Sequence, residues 1–289
     1  MKKVISLILV IMMACAVSLP AYAAEKAVGT TVKLSETSGT VKVSDQSGKS
    51  LSARVGMRLT NGYSVGTGTG SYAFITLDST KAVKLDASSS AQVKASGSRL
   101  EVMAKKGKLY FSVDAPLSST QRLNISTSTM TTGIRGSYGW VAREEIGLLH
   151  GHVTVTCKAY RSSETVVFEL TGGEGVRYDP EKAENGAQAF EKFIIKEENV
   201  PYFVIPEIRK NVNLQNMIKA DVSTLDVERL LALETVKGEE ETAMEQSRQN
   251  EMNVKLQRLS ENRAKITSVQ EFGTISSGSR GKTDKTSGG

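Results

Sequence analysis

Two histidines, His150 and His152, are the chain's whole supply of imidazole. Their i, i+2 spacing puts both on one face of a strand, where Glu144 or Glu145 could join them around a cation. There is no third histidine and no H-E-x-x-H motif, so the set falls short of a zinc site. No metal and no cofactor are expected. Cys157 alternates with Val153 and Val155, which makes it a buried thiol behaving as a small hydrophobe. A reactive thiol would want a basic, open setting. The Ser-rich stretches contain no G-x-S-x-G elbow, and no Walker A or dinucleotide fingerprint is present. Asp and Glu are scattered, and no glycosidase pair stands out. The chain therefore reads as a protein without catalytic residues.

The other chemistry-bearing residues lie between Asn124 and Val141. The spacing predicts a strand, a Thr-rich bridge, an Ile134-Arg135-Gly136 turn and a second strand. Gly133 and Gly136 would permit positive φ and close backbone approach. Arg135 offers five donors in a planar fork. It could tie loop carbonyls or a carboxylate together inside the fold, or it could bind an anionic ligand; the first is our working assignment. Trp140, the single tryptophan, could pack in a core or stack on a ligand, and packing is the working assignment. Arg135 and Trp140 are thus the candidate ligand-binding residues. Thr127, Gly133, Ile134, Arg135 and Gly136 form a motif assigned a structural role. The ligand itself is unknown.

These residues sit in a stretch of strands and tight turns. Val41 and Val43 alternate with polar residues, and Leu51, Ala53 and Val55 return after the Asp45–Gly48 turn. Asn61-Gly62 is a turn signal. Strands follow at Ser71–Asp78, with Ala73, Ile75 and Leu77 on one face, at Val83 and Leu85, and at Val93. Leu100 and Val102, then Leu109, Phe111 and Val113, continue the pattern. A spacing of about ten residues per strand suggests a mainly β fold, either a sandwich or roll or a solenoid-like stack. Period two places the apolar set on the core face.

Glycine and charge divide the chain. Residues 24–186 hold most of the 25 glycines and carry 20 Lys/Arg against 15 Asp/Glu. Residues 187–272 contain only Gly238 and carry 12 against 15. We read 24–186 as an all-β domain, 187–272 as a helical region and 273–289 as a disordered tail of Ser, Gly, Lys and Thr. In the second part, Phe203–Met217 and Leu225–Leu233 look helical, with a capping box at Ser223-x-x-Asp226. Gly238–Glu241 should interrupt the helix, which resumes through Met244, Met252, Leu256 and Leu259. The heptad is not sustained from 237 to 251. The helices either rest on the β domain or form a docking or self-association arm.

Residues 1–23 read as a cleavable export signal: Lys2 and Lys3, an apolar run from Val4 to Val17, Pro20, and the Ala21-Tyr22-Ala23 site. The alternative, lipidation at Cys15, would need Met12-Met13-Ala14 to serve as a lipobox, which suits it poorly. The mature chain is expected in the periplasm, on the cell surface or secreted. The net charge of +6 is spread out and forms no Lys/Arg stripe with interleaved aromatics, so no nucleic-acid partner is expected.

From about Gly56 to Tyr178 the chain resembles the FecR domain, an all-β extracytoplasmic module of bacteria. The pieces occur in order: Val55-Gly-Met-Arg-Leu-Thr-Asn-Gly-Tyr-Ser-Val-Gly-Thr-Gly, Tyr72–Leu77, Gly107–Val113, then Ile125-Ser-Thr127 leading to Ile134-Arg-Gly136 and Tyr138. Leu149–Val155 and Leu170–Val176 are similar to the closing strands. Ser128 stands where the family usually has Pro, and Ser137-Tyr138-Gly139 where Thr then Phe usually follow Arg-Gly. The family's iron-transport regulators place an anti-sigma segment and a membrane helix ahead of this domain, whereas this chain has a signal-like segment there. The resemblance implies an interaction module of the cell envelope with a protein or cell-wall partner. The alternative is a structural component that assembles, or self-associates, through residues 187–272.

Overall fold

The computed structural model describes residues 31–96, 98–117, 121–160 and 162–277; the expected signal segment, and the expected tail from 278 on, lie outside them. The alternating stretches form fifteen strands of one curled mixed sheet. The sheet turns on a long hairpin, β11 (Met130–Ala142) with β12 (Glu145–Cys157). The later half of β11 pairs with β9 (Lys108–Val113), which continues through β6 (Lys81–Leu85) and β5 (Tyr72–Asp78) to β1 (Lys33–Ser38). On the other side of this wing, the first half of β12 pairs with β14 (Glu174–Tyr178), and β14 with β15 (Phe190–Ile194). The first half of β11 instead pairs with β10 (Arg122–Ser126), followed by β8 (Arg99–Lys106), β7 (Ser90–Ser96), β4 (Ser64–Thr67), β2 (Val41–Ser44) and β3 (Ser50–Leu51). The last residues of β12 meet β13 (Val166–Thr171). The β8–β10 ladder is parallel and the other named ladders are antiparallel.

The hairpin thus belongs to two wings, and the wings share one core. Ile75, Leu77, Val83, Leu109 and Phe111 of the first wing cluster with Val65, Val93, Val102, Ile125 and Val155 of the second. This is the roll among the arrangements left open by the strand spacing. The bend has a local cause. Pairing steps from Ile134↔Val153 to Ser137↔Gly151, so β11 carries one extra residue, and from Tyr138↔His150 to Gly139↔Leu148, so β12 carries another. Each bulge reverses which residues face inward, and bulges are where sheets bend.

Several expectations are corrected here. Ile134-Arg135-Gly136 is not a turn but the bulge inside β11, with Gly136 at φ +155°. The reversal comes earlier: Thr127 N–H donates to Met130 O (2.8 Å), and Thr127 Oγ1 accepts from Met130 N–H (3.1 Å). A hydroxyl accepting two or three residues on supplies a turn without glycine. Gly133 is ordinary strand, paired with Asn124 and Thr154, and has no positive φ. Val55 is 63 % exposed, because β3 ends at Leu51 and the Arg54–Met57 turn follows.

Where the helical region was expected to open, the chain first adds β15 to the first wing. Helices then follow as α1 (Ile205–Lys210), α2 (Val212–Asp221), α3 (Val227–Ala232) and α4 (Glu234–Ser277). Asn211 caps α2 by accepting from Leu214 N–H, and Asp226 caps α3 by accepting from Arg229 N–H. Asp226 is thus itself the N-cap, not the distal residue of a capping box begun by Ser223. Helix α4 runs unbroken through Gly238–Glu241. A Cβ on Gly238 would lie 2.8 Å from Tyr202 Cζ, so glycine here lets the helix rest on that ring instead of stopping it. No helix among the described residues is long and apolar enough to cross a membrane.

Candidate functional site

The family-type hallmark spans the bend, and its two halves face different interiors. Before the bulge, Met130 and Ile134 enter the core between the wings. After it, Tyr138 and Trp140 face the opposite side of the first wing. There they join Tyr110 and Leu149 in a second core built with Ile195, Phe203, Val204, Ile208, Leu214, Ile218 and Leu230. The helical layer therefore seals the outer face of the first wing.

A row across four strands shows how closely this face is fitted. Trp140 pairs with Gly147, Gly147 with Gly175, and Gly175 with Phe193. A Cβ on Gly147 would lie 2.1 Å from Trp140 Cζ2, and one on Gly175 would lie 2.4 Å from Phe193 Cζ. Each ring lies across a bare backbone that only glycine leaves open. Trp140 is fully buried, and its Nε1–H donates to Glu145 Oε1 at 3.1 Å. Arg177 donates from Nε and Nη2 to the other oxygen, Glu145 Oε2, at 3.0 and 2.7 Å. The Arg177 guanidinium also lies 4.6 Å from the Phe193 ring centre. Glu145 is thus engaged in holding the tryptophan in place.

Other polar groups of this face also lie against charged or polar partners. Tyr138 Oη donates to Asp114 Oδ1 at 3.0 Å, and burial, aided by that bond, pushes its phenol up to about 12. Lys84 Nζ is 2.8 Å from Glu207 Oε1 and donates to Phe203 O at 3.2 Å, tying β6 to α1. His150 Nδ1 lies 2.9 Å from Asp221 Oδ2 of α2 but is not aligned for a hydrogen bond. His152 Nε2 lies 3.0 Å from Glu169 Oε2 of β13.

The candidate residues are therefore spread over the bend. Arg135 is exposed, and its fork has no side-chain partner among the described residues; its carbonyl accepts from Leu117 N–H at 2.7 Å. Trp140 is sealed beneath the helices. Thr127 shapes the β10–β11 turn. The two histidines each face a different carboxylate, and neither Glu144 nor Glu145 is that partner. No group of three His, Cys, Asp or Glu positioned for a metal occurs among the described residues. Cys157 is buried in the inner core, and burial pushes its thiol up to about 12, the unreactive form. Sequence reasoning missed Lys84, Glu207, Asp114 and Arg177, whose partners are distant in the chain. A lysine inside the apolar Ala82–Leu85 run was the one available signal.

Residues 63–158 match the family model described as FecR protein, so the chain carries a FecR domain over that stretch. The match covers β4 to β12, including the bend and both bulges. Two crystal structures of a putative anti-sigma factor from Parabacteroides distasonis are similar to the chain, each at 16% identity, with TM-scores of 0.36 and 0.39. The similar regions cover 45% and 49% of this chain, and 59% and 64% of those proteins, less than two thirds of their length. No curated protein matches.

Proposed function

We propose that this protein is a non-enzymatic interaction module that works outside the cytoplasm. Its FecR domain recognises a protein or cell-wall partner, and its helical region supports or orients that domain. The observation that carries this reading is the FecR match over residues 63–158, joined to the signal-like pattern of residues 1–23. The anti-sigma role named for the Parabacteroides distasonis protein is not transferred to this chain.

A second reading, a component that assembles through its helical arm, has its own support. At 1.5 Å per residue, the 44 residues of α4 reach roughly 66 Å. Helix α4 rests on Tyr202 at Gly238, and its residues as far as Gln246 line an open hollow with that ring. Beyond that, Met252, Leu256 and Leu259 follow one another at four and three residues, and each is more than half exposed. Such a stripe can cover itself against another helix.

Cross-linking on living cells, followed by mass spectrometry, separates the two. The comparison should use the full chain and a chain ended after Gln246, because residues 24–186 alone would bare Tyr138 and Trp140. A distinct partner captured by both chains supports recognition by the FecR domain. Capture of the chain itself, and only when α4 is whole, would replace that reading with assembly.

A further inference from the structure

The bend of the β11–β12 hairpin has a second effect, at its ends. Thr129 precedes β11 and Arg143 follows it, yet both line one cleft of about 470 Å³. Glu144, Tyr160, Tyr178, Glu181 and Glu184 also line it. Tyr178 is buried and belongs to the inner core, so it forms an apolar base. Tyr160 is 78 % exposed. Among the described side chains the other aromatic rings are buried or half-buried, so an aromatic ring left open beside a cleft stands out.

Thr129 supplies an independent observation. The residue is only 5 % exposed, and its Oγ1 is buried without a hydrogen-bond partner. Its backbone is satisfied: the amide donates to Thr127 Oγ1 and the carbonyl accepts from Lys158 N–H. A buried hydroxyl left unpaired at a cleft is a group that a ligand can complete.

We propose that this cleft binds a saccharide unit of an uncharged glycan. A sugar hydroxyl both donates and accepts, and here guanidinium donors and carboxylate acceptors stand side by side, with Arg143 Nε 4.0 Å from Glu144 Oε1. The C–H face of a pyranose ring is apolar and suits the open Tyr160 ring. Glu144, Glu181 and Glu184 oppose an anionic ligand, Arg143 opposes a cationic one, and Glu184 is already engaged within the protein. A neutral, many-hydroxyl ligand suits this set, and it reaches the solvent-closed Thr129 Oγ1 through a small shift of the cleft wall. The proposal rests on the reading of the chain as an extracytoplasmic binding module and names its ligand class.

Calorimetric titration of the full chain tests it with four probes: tetra-N-acetylchitotetraose, cellotetraose, maltotetraose and tetralysine. The expected result is saturable binding of at least one oligosaccharide at millimolar concentration. Tyr160→Ala should weaken it about tenfold or more, and Thr129→Val should weaken it as well. Tyr160 is a surface side chain, so its variant should keep the parent's melting temperature, and that is measured alongside. Failure of all three oligosaccharides to saturate overturns the proposal. So does binding that survives Tyr160→Ala, or binding of tetralysine alone. If the sugars fail while cells still yield a cross-linked protein partner, the saccharide site falls and the interaction module stands. If neither sugar nor partner is captured, both readings fall together.

Discussion

The core between the wings and the core beneath the helices are made from the same strands, yet they differ in kind. The inner one is almost wholly apolar, with Leu34, Ile75, Val93, Phe111, Ile125 and Val155 closely packed. Its side chains meet because period-two strands face each other, and area removed from water is enough to hold them. The outer one mixes apolar packing with fixed polar points: Trp140 on Glu145, Tyr138 on Asp114, and Lys84 on Glu207. Apolar area would let helices slide over a sheet face, whereas paired polar groups in a dry setting fix one position. The difference teaches that the inner core makes the fold and the outer core makes the register of the helical layer.

Removing an anchor from each side breaks or sharpens this distinction. Trp140→Ala should cost about 3–5 kcal/mol, the usual range for truncating a buried aromatic, because the ring also leaves Gly147 bare and Glu145 without its indole donor. Phe111→Ala in the inner core should cost a similar amount in urea unfolding. Hydrogen exchange should tell them apart. Trp140→Ala is expected to expose residues 205–230 while β7 and β8 stay protected, and Phe111→Ala should weaken protection throughout. Equal loss everywhere in both variants would mean that the two cores are one cooperative unit.

The Lys84–Glu207 pair probes the register claim more finely. Glu207→Leu leaves the nearly buried Lys84 ammonium without a carboxylate, at a cost of about 3 kcal/mol, whereas Lys84→Met leaves Glu207 its 3.4 Å contact with Lys210 and should cost less. The double variant should recover most of that, since an apolar pair of similar volume often matches a buried ion pair. If the pair fixes the register, the recovered stability should come with altered exchange along α1. Strictly additive losses, with no recovery, would place the effect in packing around Tyr72 and Phe74, whose ring centres lie 5.3 and 5.7 Å from Lys84 Nζ, instead of in the ion pair.

How much could be read beforehand follows the same division. The inner core was visible in the chain: Ala73, Ile75 and Leu77, or Leu109, Phe111 and Val113, announce a strand face by alternation alone, and all are buried. Alternation is a local signal, and the inner core is its direct result. The hallmark was legible as a motif but not as a shape. Arg135-Gly136 looks like a turn because glycine after a polar residue usually is one, and only the strands on both sides show that it is a bulge. The outer core was hidden for a different reason. Tyr138 and Trp140 follow the same alternation as their neighbours, and the bulge that reverses their direction leaves no trace in period. Gly238 misled in the opposite sense, since contact with Tyr202, distant in sequence, decides its role.

The smallest effect tests whether the helical layer has its own acid sensitivity. Glu197 is buried, and its Oε1 accepts from the backbone N–H of Asp226, the N-cap of α3, at 2.9 Å. That bond outweighs burial and holds the carboxyl below its ordinary value of 4.5. A carboxyl lowered in the folded state binds fewer protons there than in the unfolded chain. Its contribution is therefore complete above the ordinary value and is lost as pH falls through the lowered one. Glu197→Gln should cost about 1 kcal/mol at neutral pH and should flatten the stability curve in that acid window. In the wings, Asp78 and Glu174 are also held below their ordinary values, because burial, which raises them, is outweighed by hydrogen bonds led by those from Lys81 and Lys192, so the part of the acid response that Glu197→Gln removes should be the loss of exchange protection around α3. If the variant keeps the parent's acid slope and the same loss of protection around α3, Glu197 is not the group through which acid loosens the helical layer.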